Sequence, residues 1–394
     1  NKKTNRIRPK APENDPAKGG KWAKARIIRA AILRRLLVDP PEEWPVHAKG
    51  VRITGARITG KLDLEETKIT FPLVLILCHV EQPITLGGAE TKSLVFRGSH
   101  IPSIDGQQSK TTGNVYLDGV TSTKGGVTLA SAEIGGQLAC ENATFENDEP
   151  EGFALNAEGV TVKGDVFLWY GFSAKGGVSL AGAEISGRLV CVDATFANEN
   201  PGGFAFDILN ARVKGIFFWM PAEKTTGNIS FRHARTGPLF DNKTRWPEHG
   251  KLLLDGFEYS AFAPRTPQTA EERLDWLRRQ PKIPKQFTPQ PYEHLIKVFR
   301  QMGHTRDARD VGIAKHDDFR SNRCCANFGE WLWNWIFKLT IAHGYKPWKA
   351  LIWMLAIVFA GGWFFTFAET QKAIHPSKEE VLLDERYVDS GGQW

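Results

Sequence analysis

Asp63, Glu133, Glu184 and Asp193 are the carboxylates whose spacing first invites chemistry. On successive turns of a coiled chain they would form an acidic row, and sugar cleavage needs two acids opposed across the scissile bond. No opposed pair is recognisable among them, so exposed solubilising charge is the expectation. His304, Asp307, Asp310, His316, Asp317 and Asp318 make a second group. His304 and Asp307 could share a helical face and hold a metal, but a helix cap with salt bridges is the commoner use of that spacing. The third group is cationic: Arg300, Arg306, Arg309, Arg320 and Arg323 form the best anion-facing surface, with phospholipid head groups as the economical ligand.

Other reactive groups point away from catalysis. Cys140 and Cys191 stand at equivalent repeat positions, where a small apolar side chain serves, and with Cys78 they read as buried structural thiols. Cys324 and Cys325 precede a tryptophan-rich stretch and are candidates for reversible lipidation. The chain lacks GxGxxG, HExxH and GxSxG patterns, so no catalytic, metal or cofactor residue is assigned and no cofactor is expected. An enzyme of unidentified chemistry is the least favoured class.

The strongest physical signal lies near the C-terminus. Residues 350–368 carry no charged side chain over 19 positions, and the span 348–368 reaches the roughly 20 residues that cross a bilayer. Trp331, Trp333 and Trp335 predict an interfacial aromatic segment over 328–347, with Trp348 at the start of the crossing helix. Lys338, Lys346 and Lys349 flank its N-terminal side, whereas Glu369, Glu379, Glu380, Asp384 and Glu385 follow it. The positive-inside bias then puts residues 1–347 in the cytoplasm and 369–394 outside. The net charge of +7 concentrates near the N-terminus and over 273–349, so membrane lipid is the expected partner and nucleic acid is disfavoured.

The elements that must position these groups are repetitive. GGVTLASAEIGGQLACENATF, 125–145, returns 51 residues later as GGVSLAGAEISGRLVCVDATF, 176–196. Inward candidates fall in pairs two apart: Val127 and Leu129, Ala132 and Ile134, Leu138 and Cys140, Ala143 and Phe145, and the same again from Val178 to Phe196. The same register starts at Val51, with Val51 and Ile53, Ala56 and Ile58, Leu62 and Leu64, and Thr67 and Ile69. Such runs, separated by glycine or polar corners, predict very short strands on the faces of a β-solenoid over 46–260. An antiparallel sandwich or barrel is the ordinary alternative. A four-faced coil needs roughly 20 to 22 residues, so the 51-residue unit implies two coils plus an excursion. ENDEPEG and ANENPGG supply it, making Glu146, Asn147, Asp148, Glu149, Asn198, Glu199 and Asn200 the candidate partner loops.

Around this solenoid, residues 1–21 read as a flexible basic arm and 22–45 as an amphipathic capping helix. Residues 261–327 read as a basic helical adaptor with helices near 269–280, 291–303 and 305–322.

The Ala-x-Ile and Ala-x-Phe steps resemble pentapeptide-repeat proteins, which implies a mainly β fold, a right-handed quadrilateral β-helix. PYEHLIKVFRQMGHTRDARDVGIAKHDD and WLWNWIFKLTIAHGYKPWKALIWML resemble, more specifically, bacterial membrane-associated proteins that carry such a solenoid. Some members are labelled oxidoreductases, but no residue here carries that label. The resemblance implies residence in the bacterial inner membrane and, after 369–394, a continuation to a second membrane helix. The favoured function is a membrane-anchored scaffold that binds a protein partner. A subunit or sensor of an oligomeric channel or membrane-disrupting defence system, acting as a homo-oligomer, is the alternative.

Overall fold

The computed structural model describes residues 12–123, 125–147, 149, 152–283, 286–322 and 348–371. The chain divides into two compact units, Asn1–Asn322 and Arg323–Trp394.

The first unit is a right-handed, four-faced β-solenoid of about nine turns followed by short helices. Its first face stacks nine strands from Val51–Thr54 to Leu239–Asp241, and its third stacks nine from Leu62–Asp63 to Leu252–Leu253. The fourth holds eight, from Glu90–Thr91 to Glu258–Tyr259. The second face is interrupted: Ile27–Arg29, Arg57–Thr59 and His79–Val80 pair together, and single bridges through His100 lead on to Thr121–Ser122. Every rung pairs parallel with the next, as Lys110 with Glu133 and Thr111 with Ile134.

Two-residue strands suffice because each needs only one side chain inside. Alternation along the strand sends Ile134 in and Glu133 out. The inward pairs read from the repeats are all buried, from Val127 to Phe145 and from Val178 to Phe196. Their stacked rows form one continuous apolar core, so a coil buries its surface mainly on the coils above and below. Coil length varies as the repeat implied. The bonded neighbours Tyr116 and Gln137 are 21 residues apart and Asp165 and Arg188 are 23, but Glu184 and Arg212 are 28 apart across the ANENPGG excursion.

Two corners per coil turn through the left-handed region. Gly159 and Gly182 do so at no cost, but Ser131, Asn142, Tyr170 and Asp193 occupy equivalent corners with φ between 45° and 56°. A third corner depends on close approach instead. Gly136, Gly164, Gly187 and Gly215 stack directly: the N–H of each later glycine donates to the carbonyl of the one before at 2.8, 3.0 and 2.9 Å. A Cβ on Gly164 or Gly215 would lie within 2.8 Å of that carbonyl oxygen, so this ladder excludes every side chain.

Both ends are covered. Ile27–Arg29 pairs with Arg57–Thr59 and extends the lattice by one strand, after which α1, Ala30–Val38, lays Ala30, Leu33 and Leu37 into the core. The expected helix from Trp22 is therefore replaced at 22–29 by a 3₁₀ turn and a strand, because an open sheet edge gives that backbone better hydrogen-bond partners than a helix end. Residues 12–21 are likewise tied down rather than free: Trp22 Nε1 donates to the Glu13 carbonyl at 2.9 Å and the Pro16 carbonyl meets His79 Nδ1 at 2.8 Å. At the other end stand α2, Ala270–Leu277, α3, Gln290–Gln301, and α4, Thr305–Asn322. A Thr269–Glu272 capping box starts α2, and Pro291 sits in the first turn of α3. The second unit contributes α5, Trp348–Thr370.

Candidate interaction surfaces

The two excursions are built by one local device. Asn147 Nδ2 donates to the Phe153 carbonyl and Asn198 Nδ2 to the Phe204 carbonyl, each at 3.0 Å. Their Oδ1 atoms accept from the N–H of Glu149 and of Asn200, also at 3.0 Å. Each asparagine thus closes its loop from both sides, an Asx turn with a second tether. Gly152 and Gly203 lie against these amides where a Cβ would collide. Asparagine five residues before glycine was the legible signal for this lock. The structure therefore separates the predicted loop residues by task. Glu149, Glu199 and Asn200 are exposed; Asn147 and Asn198 hold the loops, and Glu146 pairs with Lys175 at 2.6 Å. Asp148 lies outside the described residues.

The other sequence candidates disperse. Glu133 and Glu184 share the fourth face but pair with Lys110 and Arg212, while Asp63 lies on the third face beside Lys61 and Asp193 sits at a corner. They do not make an opposed acidic pair. Asp307 Oδ1 accepts from the Ala270 N–H at 2.8 Å and so caps α2; His304 stands 3.7 Å from the same carboxylate. Asp318 accepts from Arg278 Nε and Nη2 at 2.9 and 3.1 Å and from the Tyr292 hydroxyl at 2.9 Å, tying α4 to α2 and α3. Among the described residues no group of three or more metal-ligating side chains converges. Cys140 and Cys191 are fully buried, and burial pushes both thiols well above their ordinary pKa, which suits packing rather than nucleophilic attack. GARITGK at 55–61 has the glycine–lysine spacing of a phosphate loop. It folds as corner, strand and corner with no helix after it, and Lys61 turns to Asp63 at 3.1 Å.

The arginine surface is a stripe rather than a cluster. Arg300 and Arg306 are exposed around the α3–α4 turn, while Arg309 and Arg320 are half-buried farther along α4. Arg306 and Arg320 lie about 21 Å apart at 1.5 Å per helical residue. Aspartates intervene: Asp310 stands 3.9 Å from Arg309, and Asp317 pairs with Arg320. Arg323, Trp331, Trp333, Trp335, Lys338 and Lys346 lie outside the described residues. Trp348 and Lys349 begin α5, in which Lys349–Ala368 is 20 residues long with a mean hydropathy of 2.0 and no share buried inside the protein.

Two features escaped sequence reading. Arg273 and Asp241 form a fully buried bidentate pair at 2.7 and 2.8 Å. Asp241 also accepts from Trp246 Nε1 at 2.8 Å, and the guanidinium lies 3.8 Å over the Phe262 ring. The aspartate occupies an inward position of the last first-face strand, so the arginine of α2 completes the end of the stack. The other feature is the outside of the first face, where Ala139, Phe167 and Val190 form a small apolar cluster with Tyr116, Trp169, Val192 and Phe218 packed on it. No spacing in the sequence marks these as different from inward residues.

No protein-family model, no curated protein and no solved structure matches the chain. Its fold and surfaces define a β-solenoid closed at both ends, in one chain with an apolar helix of membrane-spanning length.

Proposed function

We propose that the protein is a membrane-anchored scaffold of degenerate pentapeptide-repeat type, which presents the paired excursions to a protein partner at the cytoplasmic face of a bacterial membrane. The observation that carries this reading is α5: a 20-residue span, uncharged after Lys349 and with no share buried inside the protein, needs a hydrocarbon environment. Lys338, Lys346 and Lys349 before the span, against the acidic run after it, support a cytoplasmic solenoid. The two excursions support partner binding because they repeat the same lock and direct Glu149 and Glu199 to solvent, offering acidic contacts that suit a basic partner.

Two measurements test the reading. The chain should remain in membranes through an alkaline wash, with reporters fused before residue 12 and after Leu382 on opposite sides. Extraction by the wash, or both reporters in the cytoplasm, defeats the anchor or its orientation. Replacing 148–151 and 199–202 together with Gly-Ser links should abolish partner cross-linking while leaving membrane retention intact; unchanged cross-linking removes the excursions from the proposal.

A further inference from the structure

The N-terminal cap of the solenoid has an outer side that the fold does not use. Helix α1 gives Ala30, Leu33 and Leu37 to the core, and Arg34 Nε donates to the Asp63 carbonyl at 2.9 Å, which pins the helix across the stack. Ile32 and Leu36, one helical turn apart, lie off that buried face. With Trp44 from the turn that follows, they line a groove of about 560 Å³ whose walls also include Arg29, Arg35 and a single acid, Glu43. Trp44 is 64% exposed, the highest of any large apolar side chain described in the first unit, and Ile32 is 41% exposed. Pro40, Pro41 and Pro45 bracket Trp44, and its N–H donates to the Pro41 carbonyl at 2.9 Å, so a stiff backbone presents the ring to solvent. Arg29 and Arg35 are exposed and pair with no carboxylate among the described residues.

We infer that this groove is a second membrane contact: Arg29 and Arg35 meet the phosphates of anionic phospholipid, and Trp44 and Ile32 settle at the head-group boundary. Charge selects the occupant. Residues 18–49 carry eight lysines and arginines against three acids, so the cap as a whole attracts an anionic surface. A guanidinium fork matches phosphate oxygens, and because Arg29 and Arg35 are unpaired, the contact breaks no ion pair. The arginines of α4 differ in this respect, since Arg309 stands beside Asp310 and Arg320 pairs with Asp317. The apolar groups select a bilayer over free phosphate. An exposed tryptophan and isoleucine beside arginines suit the boundary between head groups and acyl chains, and dissolved phosphate offers them nothing to bury against. The inference rests on the membrane reading of α5, which brings the chain to anionic head groups, and it is independent of what the excursions bind.

The test replaces Trp44 in the full chain with the photoreactive p-benzoylphenylalanine, one aromatic for another, in vesicles of phosphatidylcholine with and without phosphatidylglycerol. Illumination should give lipid adducts, read by mass spectrometry, whose yield falls about fivefold or more when phosphatidylglycerol is left out. In the mixed vesicles Arg29→Gln with Arg35→Gln should lower the yield as far, and Arg29→Lys with Arg35→Lys should keep most of it. Lys92→Gln with Lys163→Gln, which removes two exposed charges beside the fourth face, should leave it unchanged. A thermal melt reports the folding of each variant, and the comparison of the two lipids needs no charge variant, which keeps the test open should one misfold. An alkaline wash reads α5 separately: a chain that washes out yet forms adducts defeats the anchor and keeps the cap contact, whereas a retained chain without adducts does the reverse. Equal yields in the two lipids, adducts to protein in place of lipid, or full yield in the folded glutamine variant overturns the inference.

Discussion

The two ends of the solenoid solve one problem by different chemistry. At the N-terminal end the lattice simply gains a strand, Ile27–Arg29, and α1 covers what remains with Leu33 and Leu37. The polar contacts there are local and half-buried: Arg26 donates to the Gly55 carbonyl at 2.8 Å and to Asn14 Oδ1 at 3.0 Å, with its guanidinium 3.9 Å over Trp22. At the C-terminal end the lattice stops at a charge. Asp241 would be an uncompensated buried carboxylate without Arg273, and a ring of Trp246, Phe262 and Trp276 excludes water around the pair. An end closed by extension should weaken by degrees when altered; an end closed by a buried ion pair should fail abruptly, because losing one partner strands the other.

Arg273→Met is the largest way to break that contrast. It should cost about 3–5 kcal/mol in denaturant unfolding, with hydrogen exchange rising across 239–311 and little changed before 100. Adding Asp241→Leu should restore much of the loss, and a double variant as unstable as the single one would refute the stranded-charge account. Leu33→Ala, at the opposite end, should cost about 2–4 kcal/mol through its cavity and raise exchange near 27–64 alone. Arg26→Ala should cost about 1–2 kcal/mol, since its contacts are only half-buried; a loss equal to that of Arg273→Met would erase the distinction between the ends.

Acid should sharpen the contrast most gently. Burial lowers the His294 pKa below the ordinary value, and the ring meets the Tyr259 backbone with its neutral Nε2. The unfolded chain therefore takes up the proton first as pH falls through about 6.5, and the C-terminal end loses stability on acidification until the folded value is reached. His316 carries a shift of the same sign. His294→Gln should flatten the loss between pH 7 and 5, and an unchanged pH profile of exchange over 252–300 would remove His294 as its cause.

Sequence reading reached the inward lattice because its signal is periodic: Leu138 and Cys140 recur at Leu189 and Cys191, and all four are buried. The helices α2 to α4 were legible from Thr269, Pro291 and Gly303, residues whose backbone preferences act locally. What failed was competition between distant partners. Trp22 to Val38 has a helical pattern throughout, yet Ile27–Arg29 was captured by an edge that lies 30 residues away in the chain. Arg273 looked like one more charge in a basic adaptor, and Asp241 was not singled out within the solenoid, because pairing across 32 residues leaves no local mark. The arginines of α4 were legible as a set, and the cap and salt bridges expected of the neighbouring aspartates are found at Asp307, Asp310 and Asp317.

The stacked glycines fix how this protein could change in length. Each coil hands the same bare backbone contact to the next, so a 51-residue segment holding two coils begins and ends on interchangeable junctions. Inserting or deleting one such segment would move the two ends by about 10 Å without asking either to meet a new surface. The distance between α1 and α2 is thus an adjustable spacing, inherited in steps, while the chemistry at its limits stays fixed.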